Sequence, residues 1–393
     1  MTRSPQAKTV GSQCTERRTD VLIDASVLEY PTTGVAKAML TLYEGAVRIE
    51  PALKIETVHR KPLNKSAPSW AIDTQTSAWC PSRGWRRYVL PRIMAQKRAR
   101  VVHFPWNTGA VPPPPGTKSL LTVHDVIPLV LPDLYFRTEQ ERSSFTRRIQ
   151  ASIDASDCIL TVSECSKRDI LRHLRPRNEP VVIYHSLGPA PPPPMQSVQL
   201  RLGPAPFVYL GGFERRKGLD LLISVHSELF ASGAVTRKLV LLGQAPSEAS
   251  QQSPVLLSAR RLGAIVEPGY VEDSEVIRWL STACALVYPS LYEGFGFPLL
   301  EAMAHGCPVI TTHAGAMPEV CGEAALYVTP GNRRELGAAM VQLSADETAR
   351  TSLAQRGLTQ AATFSWERNS QGLLAILNRL ASSHGEFDDH RRL

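Results

Sequence analysis

The chain has 393 residues, of which 43% are hydrophobic and 20% are charged, and its formal net charge is +8. This length exceeds what one hydrophobic core supports and predicts two domains, while the composition excludes a disordered or collagen-like protein. The best candidate for a membrane span, 119–136, is interrupted by two prolines, a histidine and two aspartates, so no spanning helix is expected.

The N-terminal segment, 1–19, carries charge without an apolar centre, so we expect a disordered or loosely attached segment and no secretory signal. The seven cysteines are scattered and form no Cys-x-x-Cys pair. They therefore indicate reduced thiols packed as small apolar residues, rather than a zinc or redox site. These features predict a cytoplasmic protein.

Short β-branched runs alternate with amphipathic helical patterns along the whole chain. Strands are predicted at 21–23, 55–59, 101–104, 119–123, 158–162 and 181–184 in the first half, and at 207–210, 238–242, 264–267, 285–288, 308–311 and 325–328 in the second. This alternation predicts parallel sheets covered by helices on both faces. Two Rossmann-like α/β domains in tandem are the simplest arrangement.

A proline-rich linker at 189–206 divides the chain almost in half, because its proline density excludes both a helix and a central strand. The predicted units on either side are an N-terminal domain at 20–188 and a C-terminal domain at 207–365. We expect a helix at 366–382 that packs back toward the N-terminal domain, followed by a polar tail at 383–393.

Most of the positive charge lies in residues 1–190, which contain 27 basic and 17 acidic side chains. A basic, acid-free stretch at 83–100 includes a predicted helix, Trp85–Arg98, in which apolar and basic side chains are interleaved. Two interpretations stay open: a peripheral contact with an anionic membrane, or a core-packed helix with a solvated basic face, broken or kinked at Pro91. No nucleic-acid recognition motif accompanies the charge, so no nucleic-acid partner is expected.

The strongest functional signal is YPSLYEGFGFPLLEAMAHGCP, which begins at Tyr288. A strand ends at Tyr288, glycines loosen the following loop, and Pro298 suits the first turn of a helix. Glu293 then lies in the loop and Glu301 in the helix. Loop amides and a helix N-terminus form an anion site, and neighbouring carboxylates can accept hydrogen bonds from sugar hydroxyls. Taken alone, the two glutamates would more simply be solvated surface charge.

The second signal is FVYLGGFERRKGLDLL, which begins at Phe207 and reads as a strand, a Gly-Gly turn, a basic cluster and a helix. Arg215, Arg216 and Lys217 follow the carboxyl end of the strand, where they can neutralise a diphosphate. An Arg-Arg-Lys run by itself is more often a solvent-facing turn. Its pairing with the glutamate loop of the same domain predicts a phosphate clamp.

These segments, with GYVEDSEVIRWLSTACALVYPS and AGAMPEVCGEAALYVTPGN around them, resemble the retaining, nucleotide-sugar-dependent glycosyltransferases of family 4. The first half resembles the family more loosely through VVHFPWNTGAVPP, LLTVHDVIPLVLPDLYF and ILTVSECSKRDILRHL. Its resemblance is greatest to a bacterial branch that includes mannosyltransferases of surface polysaccharide assembly. The resemblance covers about residues 20–380 and implies the GT-B fold, two facing Rossmann-like domains with a cleft between them.

The resemblance also implies roles for the second-domain residues. Glu301 would bind the ribose hydroxyls of the nucleotide, Glu293 would contact the donor sugar, and Arg216 and Lys217 would hold the diphosphate. The loop between the glutamates would contribute backbone contacts to sugar and phosphate, from Gly294, Phe295 and Gly296.

This chain departs from the family pattern at two turns. Many relatives have an arginine directly after the first glycine of the Gly-Gly turn, where this chain has Gly212, so Arg216 would have to compensate. Gly34 matches the glycine loop that approaches the donor phosphates, although Thr33 replaces the usual first glycine. Lys37, a few residues later, is either a cleft residue or a solvated helix position.

Three more first-domain residues have alternative interpretations. His124 matches a histidine that lies against the donor sugar in the family, although a lone histidine after a strand is more often structural. Asp125 would orient the imidazole or cap the turn. Ser163 is a natural helix N-cap, with substrate contact as the alternative.

The resemblance thus implies a retaining transferase in polysaccharide biosynthesis, with front-face attack. It would move a hexose, with mannose as the first candidate, from a GDP- or UDP-sugar to a glycan or polyprenyl-diphosphate-linked acceptor. Arg216, Lys217 and the helix N-terminus would stabilise the charge that develops on the leaving diphosphate. The chain has no Asp-x-Asp motif and has a basic clamp instead, so no metal ion and no cofactor are expected.

Two alternatives remain at the level of sequence. One is a catalytically silent nucleotide-sugar-binding scaffold, and the other is a different GT-B enzyme such as an epimerase or a phosphorylase. The expected location is the cytoplasm, with the inner face of the cell membrane as a further site if the basic region binds lipid.

Overall fold

The computed structural model describes residues 19–29, 34–63, 67–76, 81, 84–188, 204–243 and 253–382. These residues form two parallel β-sheets. The strands of the first sheet are β1 (Val21–Asp24), β2 (Ile55–His59), β3 (Ile72–Gln75), β4 (Val101–Phe104), β5 (Lys118–Thr122), β6 (Cys158–Thr161) and β7 (Val181–Val182). The strands of the second are β8 (Phe207–Leu210), β9 (Leu239–Leu242), β10 (Ile265–Gly269), β11 (Ala285–Tyr288), β12 (Val309–Thr312) and β13 (Ala325–Val328).

Helices connect the strands and cover the sheets. The first domain has α1 (Gly34–Ile49), α2 (Leu90–Lys97), α3 (Ile127–Val130), α4 (Pro132–Tyr135), α5 (Glu139–Asp154) and α6 (Glu164–His173). The second has α7 (Leu219–Ala231), α8 (Pro254–Arg261), α9 (Asp273–Thr282), α10 (Phe297–Ala304), α11 (Met317–Cys321), α12 (Arg333–Ala345) and α13 (Glu347–Ala361), and α14 (Trp366–Ser382) follows. Short 3₁₀ turns occupy Ala25–Glu29 and Arg215–Lys217.

The strand orders are β3-β2-β1-β4-β5-β6-β7 and β10-β9-β8-β11-β12-β13. Central strands such as β1, β4, β9 and β11 are buried at every residue, as expected for apolar strands with helices on both faces. The prediction of two Rossmann-like domains is therefore confirmed. Each sheet reverses its strand order once, between β1 and β4 and between β8 and β11, and ligands of such sheets bind at this switch point.

One strand was missed in the sequence. β3 has the sequence IDTQ and is largely exposed at the edge of the first sheet, so it lacks the apolar run that marks the other strands. The strand predicted at 181–184 is shorter than expected and includes only Val181–Val182. Five strands have the predicted bounds, namely 55–59, 101–104, 207–210, 285–288 and 325–328. The remaining strands differ from the prediction by one or two residues at an end, because a local pattern does not fix where a ladder ends.

The last helix, α14, packs on the first domain. Its Ser370 hydroxyl donates to the carbonyl of Leu42 in α1, and the Asn369 amide donates to the carbonyl of Tyr184. Gly45 of α1 lies against Trp366 and Ser370 and has no room for a side chain. The chain thus ends by contributing apolar residues to the core of the domain with which it began: Leu373, Leu374, Ile376, Leu377 and Leu380.

The basic region begins with a π-helical turn, Trp85–Val89, that continues into α2. Pro91 is the second residue of α2, directly after the π-helical turn, so the helix changes its hydrogen-bond pattern at this proline without breaking. The apolar side of this region is buried in the first-domain core through Trp85, Leu90, Ile93 and Met94. The structure therefore shows a core-packed helix, from which Arg87 and Arg92 face solvent.

Several predictions concern residues outside the described ranges. The N-terminal segment 1–18, the linker residues 189–203 and the tail 383–393 are among them, and so are Cys14 and Cys80. The other five cysteines are buried and form no disulfide. Among the described helices, none combines the length and the apolar character that a membrane span requires.

Candidate active site

The candidate site lies where the carboxyl ends of the central strands of both sheets face each other. The loop after β8 carries Arg216 and Lys217, and the loop after β11 carries Glu293. From the other domain, α1 contributes Lys37 and the loop after β5 contributes His124. Because β8 and β11 flank the switch point of the second sheet, the topology alone brings the first three residues together.

Glu293 is the centre of a buried charge cluster. Its Oε1 atom accepts hydrogen bonds from Lys217 Nζ at 2.9 Å, Tyr288 Oη at 2.9 Å and Ser290 Oγ at 2.7 Å. Arg216 Nη1 lies 2.6 Å from the same oxygen. Burial would raise the pKa of Glu293, but Lys217, Arg216 and the Ser290 hydroxyl together hold it below the ordinary value. Glu293 is therefore an anion that keeps two cations in place.

Arg216 is held from both domains. Its Nε donates to the Tyr135 hydroxyl of α4 at 3.0 Å, and its Nη1 donates to the carbonyl of Tyr292 at 2.5 Å. Burial disfavours the charge of Arg216, but the neighbouring Glu293 keeps the pKa of the guanidinium above its ordinary value. The adjacent Arg215 is exposed, so only one of the two arginines enters the cleft.

Lys217 completes the clamp. Its Nζ donates to the Tyr288 hydroxyl at 2.6 Å and lies 5.1 Å from the centre of the Tyr288 ring. The short 3₁₀ turn Arg215–Lys217 explains the alternation of exposed and inward-facing side chains in this run. The structure thus places Arg216 and Lys217 together with Glu293.

His124 is buried on the first-domain side of the cleft. Its Nε2 lies 3.1 Å from the carbonyl oxygen of Pro105, and this carbonyl can only accept, so Nε2 carries the proton. Burial lowers the pKa of His124 to about 4, so the imidazole is neutral near pH 7. Its Nδ1 is then an acceptor, and this buried atom has no hydrogen-bond partner among the described residues.

Asp125 caps its turn and does not orient the imidazole. Its Oδ1 accepts a hydrogen bond from the backbone N–H of Ile127 at 3.1 Å, whereas the imidazole bonds to Pro105. Burial raises the pKa of Asp125. Of the two interpretations of this carboxylate, the structure therefore supports the cap.

Gly294 lies where the two domains touch. Its carbonyl accepts hydrogen bonds from Ser163 Oγ at 2.7 Å and Ser166 Oγ at 3.1 Å, both from the first domain. A Cβ at Gly294 would lie 2.7 Å from the Cβ of Asp125, so only glycine permits this approach. Ser163 also caps α6, because its Oγ accepts the N–H of Ser166 at 2.9 Å, as predicted.

A second contact between the domains occurs at the N-terminus of α6. The Glu319 carboxylate of α11 accepts the backbone N–H groups of Glu164 at 2.7 Å and Cys165 at 3.0 Å. Nearby, the Tyr292 hydroxyl donates to Asp169 of α6 at 2.7 Å. The described structure is therefore a closed arrangement of the two domains.

Glu301 is paired across the cleft with Lys37. Lys37 Nζ lies 2.5 Å from Glu301 Oε1, 3.8 Å from Asp273 Oδ1 and 5.3 Å from the centre of the Phe297 ring. Of the two interpretations of Lys37, the structure shows the cleft residue.

The remaining predicted residues line the edges of the site. Gly34 begins α1 with open space beside it, and Gly212 is exposed with its carbonyl accepting the Tyr209 hydroxyl at 2.6 Å. Phe295 packs edge-on against His185, with 4.9 Å between the ring centres. Gly296 has a φ of +97° at the residue before α10, a left-handed conformation that favours glycine.

Several residues of the cluster were not predicted from sequence. They are Tyr135, Tyr288, Ser290, Tyr292, Glu319 and His185. Each has a side chain that reaches the other domain or one of the two cations. Most lie within the segments that carry the family resemblance. Single hydroxyl and carboxylate side chains show no sequence periodicity, so nothing in the sequence identified them as site residues.

Among the described residues, no three His, Cys, Asp or Glu side chains form a group that would hold a metal ion. That the reaction needs no metal ion stays a prediction, because it concerns the enzyme with its donor bound.

Comparisons with known proteins assign the family. The family profile described as "Glycosyl transferases group 1" matches residues 205–346. The O-antigen chain mannosyltransferase B of Escherichia coli is 31% identical over 260 residues, which are 64% of this chain and 67% of that protein. The serotype-specific mannosyltransferase WbdA of Escherichia coli is 25% identical over 284 residues, 69% of this chain but only 34% of that protein.

The fold comparison agrees with the sequence comparisons. The structure of a sucrose-phosphate synthase (tll1590) from Thermosynechococcus elongatus superposes with a TM-score of 0.73 and 18% identity, covering 93% of this chain and 100% of that one. At this identity the likeness concerns the fold alone, which is the GT-B arrangement. The chain belongs to the glycosyl transferases group 1 family and is a glycosyltransferase.

Proposed function

We propose that this protein is a retaining mannosyltransferase of polysaccharide biosynthesis. It would use a nucleoside-diphosphate mannose as donor and a glycan or lipid-linked saccharide as acceptor. The observation that carries the proposal is the pair of inward-facing cations, Arg216 and Lys217, which share one carboxylate oxygen of Glu293 at the switch point of the second sheet. The names of the two relatives reported above support mannose and O-antigen assembly.

The cluster is suited to a leaving diphosphate. In the buried part of the cluster two cations face one anion, and Glu214, which also pairs with Arg216, is 63% exposed and screened by solvent. The two cations can therefore attract the diphosphate and stabilise the charge that develops on it as its bond to the sugar breaks. The cations are already held by hydrogen bonds to Tyr135, Tyr288 and Glu293, so little reorganisation accompanies the reaction.

Across the cleft, His124 is suited to binding a neutral sugar hydroxyl. Its unpartnered Nδ1 can accept a hydrogen bond, and its low pKa keeps it an acceptor at neutral pH. We assign it a donor-sugar contact. We assign no separate nucleophile, so the proposal includes retention by front-face attack. In this mechanism the leaving phosphate takes the proton of the acceptor hydroxyl.

The test is a thermal-shift comparison of GDP, UDP, ADP and dTDP without added metal, since a ligand that binds only the folded state raises the melting temperature. We expect a selective shift with one of them, GDP for a mannose donor. The shift should be lost in Lys217→Ala and kept in Arg215→Ala, whose side chain is exposed.

A transfer assay separates the enzyme from a silent nucleotide-sugar-binding scaffold. With the matching nucleotide-mannose and a lipid-linked oligosaccharide extract, we expect a glycosylated product whose new linkage is α, as in the donor. Binding without any transfer or donor hydrolysis would favour the scaffold, and a β-linked product would refute retention.

We also propose a peripheral contact with anionic membrane through the solvent-facing side of the 83–100 region. The exposed side chains of Arg87, Tyr88 and Arg92 support it, because two cations beside an aromatic ring suit a lipid headgroup layer. The buried apolar side of the same region excludes deep insertion of this helix while the domain stays folded.

A further inference from the structure

Lys37 forms an ion pair with Glu301, the residue that by the family resemblance would bind the ribose hydroxyls of the nucleotide. The Glu301 side chain is only 13% exposed, and its Oε1 lies 2.5 Å from Lys37 Nζ. Burial raises the pKa of Glu301 even though the ammonium of Lys37 acts in the opposite direction. The ion pair joins α1 of the first domain to α10 of the second and lies inside the cleft.

The ribose and Lys37 compete for the same oxygens. When ribose hydroxyls donate to Glu301, the ammonium must give up its short contact or share the oxygen. The Lys37 side chain is 27% exposed and its ammonium lies over the Phe297 ring, so the displaced ammonium needs another anion, because an unpaired cation at a partly buried site is costly. A nucleoside diphosphate brings that anion with it.

We infer that Lys37 changes partner when the donor binds, from Glu301 to the donor diphosphate, and acts as a third cation of the diphosphate site. This inference rests on the proposed function and extends it. Lysine suits the exchange because its four-carbon stem is flexible and its ammonium has no fixed geometry. The opposite domain would then contact the donor directly and couple cleft closure to the diphosphate.

Asp273 is the competing partner for the displaced ammonium. Its Oδ1 lies 3.8 Å from Lys37 Nζ, but the side chain is 70% exposed, so solvent screens the interaction. With a nucleoside that lacks phosphate, Asp273 is the other ion-pair partner that the described part of the chain offers Lys37. The dissociation constant of the nucleoside divided by that of the nucleoside diphosphate therefore indicates whether Lys37 pairs with the diphosphate.

The experiment is isothermal titration calorimetry of the full chain with GDP against guanosine and UDP against uridine, in the wild type and in Lys37→Met. Methionine keeps the apolar stem over Phe297 and removes the charge. We expect the diphosphate to bind about tenfold more weakly, the usual scale of one charge-assisted phosphate contact, while the nucleoside binds equally or more tightly. The dissociation constant of the nucleoside divided by that of the diphosphate should therefore fall at least about tenfold in the variant.

Three outcomes would overturn the inference. One is an unchanged ratio in Lys37→Met, which would mean that Lys37 only positions Glu301. Another is a change of similar size in Asp273→Asn, which should leave the ratio unchanged if the ammonium moves to the diphosphate. The third is restoration of the wild-type ratio in Lys37→Gln, a neutral substitution that also serves if Lys37→Met does not fold.

Other results of the same titrations would contradict the proposed function rather than the inference about Lys37. If the wild type binds neither GDP nor UDP, the nucleotide site itself is refuted. If Glu301→Gln binds both guanosine and GDP as tightly as the wild type, the ribose assignment is wrong whatever Lys37 does.

Discussion

At the scale of single residues, one carboxylate oxygen organises the second-domain half of the site. Four donor groups, from Lys217, Arg216, Tyr288 and Ser290, converge on Oε1 of Glu293. A buried ion pair of this kind contributes little against a well-packed apolar alternative, but removal of one partner leaves the others uncompensated. Glu293 therefore matters for folding stability, apart from the role in donor binding that we propose for the cluster.

We predict that Glu293→Gln lowers the free energy of unfolding by about 3 kcal/mol near pH 7, since two buried cations lose their anion. The folded-state pKa of Glu293 lies below its ordinary value of 4.5, so its stabilising contribution is present above that pH and is lost as pH falls through the folded pKa. The difference between wild type and variant should therefore shrink on acidification.

Urea unfolding at a series of pH values measures this difference. Glu214→Gln is the matched control, because that carboxylate lies 3.2 Å from Arg216 but its side chain is 63% exposed. A constant difference across the series, or an equal loss in the control, would contradict the central role of Glu293.

At the scale of elements, α6 is capped by both domains. Its own Ser163 accepts the N–H of Ser166, and Glu319 from the other domain accepts the N–H groups of Glu164 and Cys165. A carboxylate at a helix N-terminus satisfies unpaired N–H groups and interacts favourably with the helix dipole. One side chain thus stabilises a first-domain helix only when the cleft is closed.

We predict that Glu319→Ala opens the cleft and frays the start of α6, at a cost of about 1 kcal/mol in stability. Hydrogen exchange measured by mass spectrometry should become faster in a peptide that spans residues 163–170. Glu323→Ala changes an exposed carboxylate of the same domain and should leave that peptide unaffected. Unchanged exchange in Glu319→Ala would contradict this role and show that the other contacts between the domains keep the start of α6 in place.

At the scale of the whole molecule, two parallel sheets present their switch points to a common cleft, and α14 returns the chain to the first domain. The basic 83–100 region belongs to the first domain. The same domain forms one side of the cleft, where its Tyr135 contacts Arg216 of the second domain. A membrane contact there would bring a lipid-linked acceptor close to the site.

We predict that the protein sediments with vesicles that contain phosphatidylglycerol and less with vesicles of phosphatidylcholine alone. Arg87→Ser combined with Arg92→Ser should reduce binding by an order of magnitude or more, at about 1 kcal/mol per basic residue. Arg334→Ser with Arg356→Ser removes the same charge from exposed positions of the second domain and is the control. Equal losses in the two double variants would indicate that only net charge matters.

Much of the fold was predictable because buried parallel strands are apolar at every position. Strands β1, β4, β9 and β11 were found for this reason, whereas the exposed edge strand β3 has no such signal and exists only because β2 pairs with it. The convergence of Arg216, Lys217 and Glu293 was predictable as well, since all three follow strands of one domain. The partners Tyr135 and Glu319 were not, because they come from distant loops and helices.

The sequence by itself determined the fold class, the family and the residues of the candidate site, since these depend on local periodicity and on short segments with particular residues at fixed spacing. For Lys37, Asp125 and the helix Trp85–Arg98, two interpretations were open, and only the tertiary structure distinguished them. Lys37 lies in the cleft and pairs with Glu301, Asp125 caps its turn, and the apolar side of Trp85–Arg98 is buried. The physical reason is that pairing and burial depend on which distant elements meet, and local pattern does not contain that information.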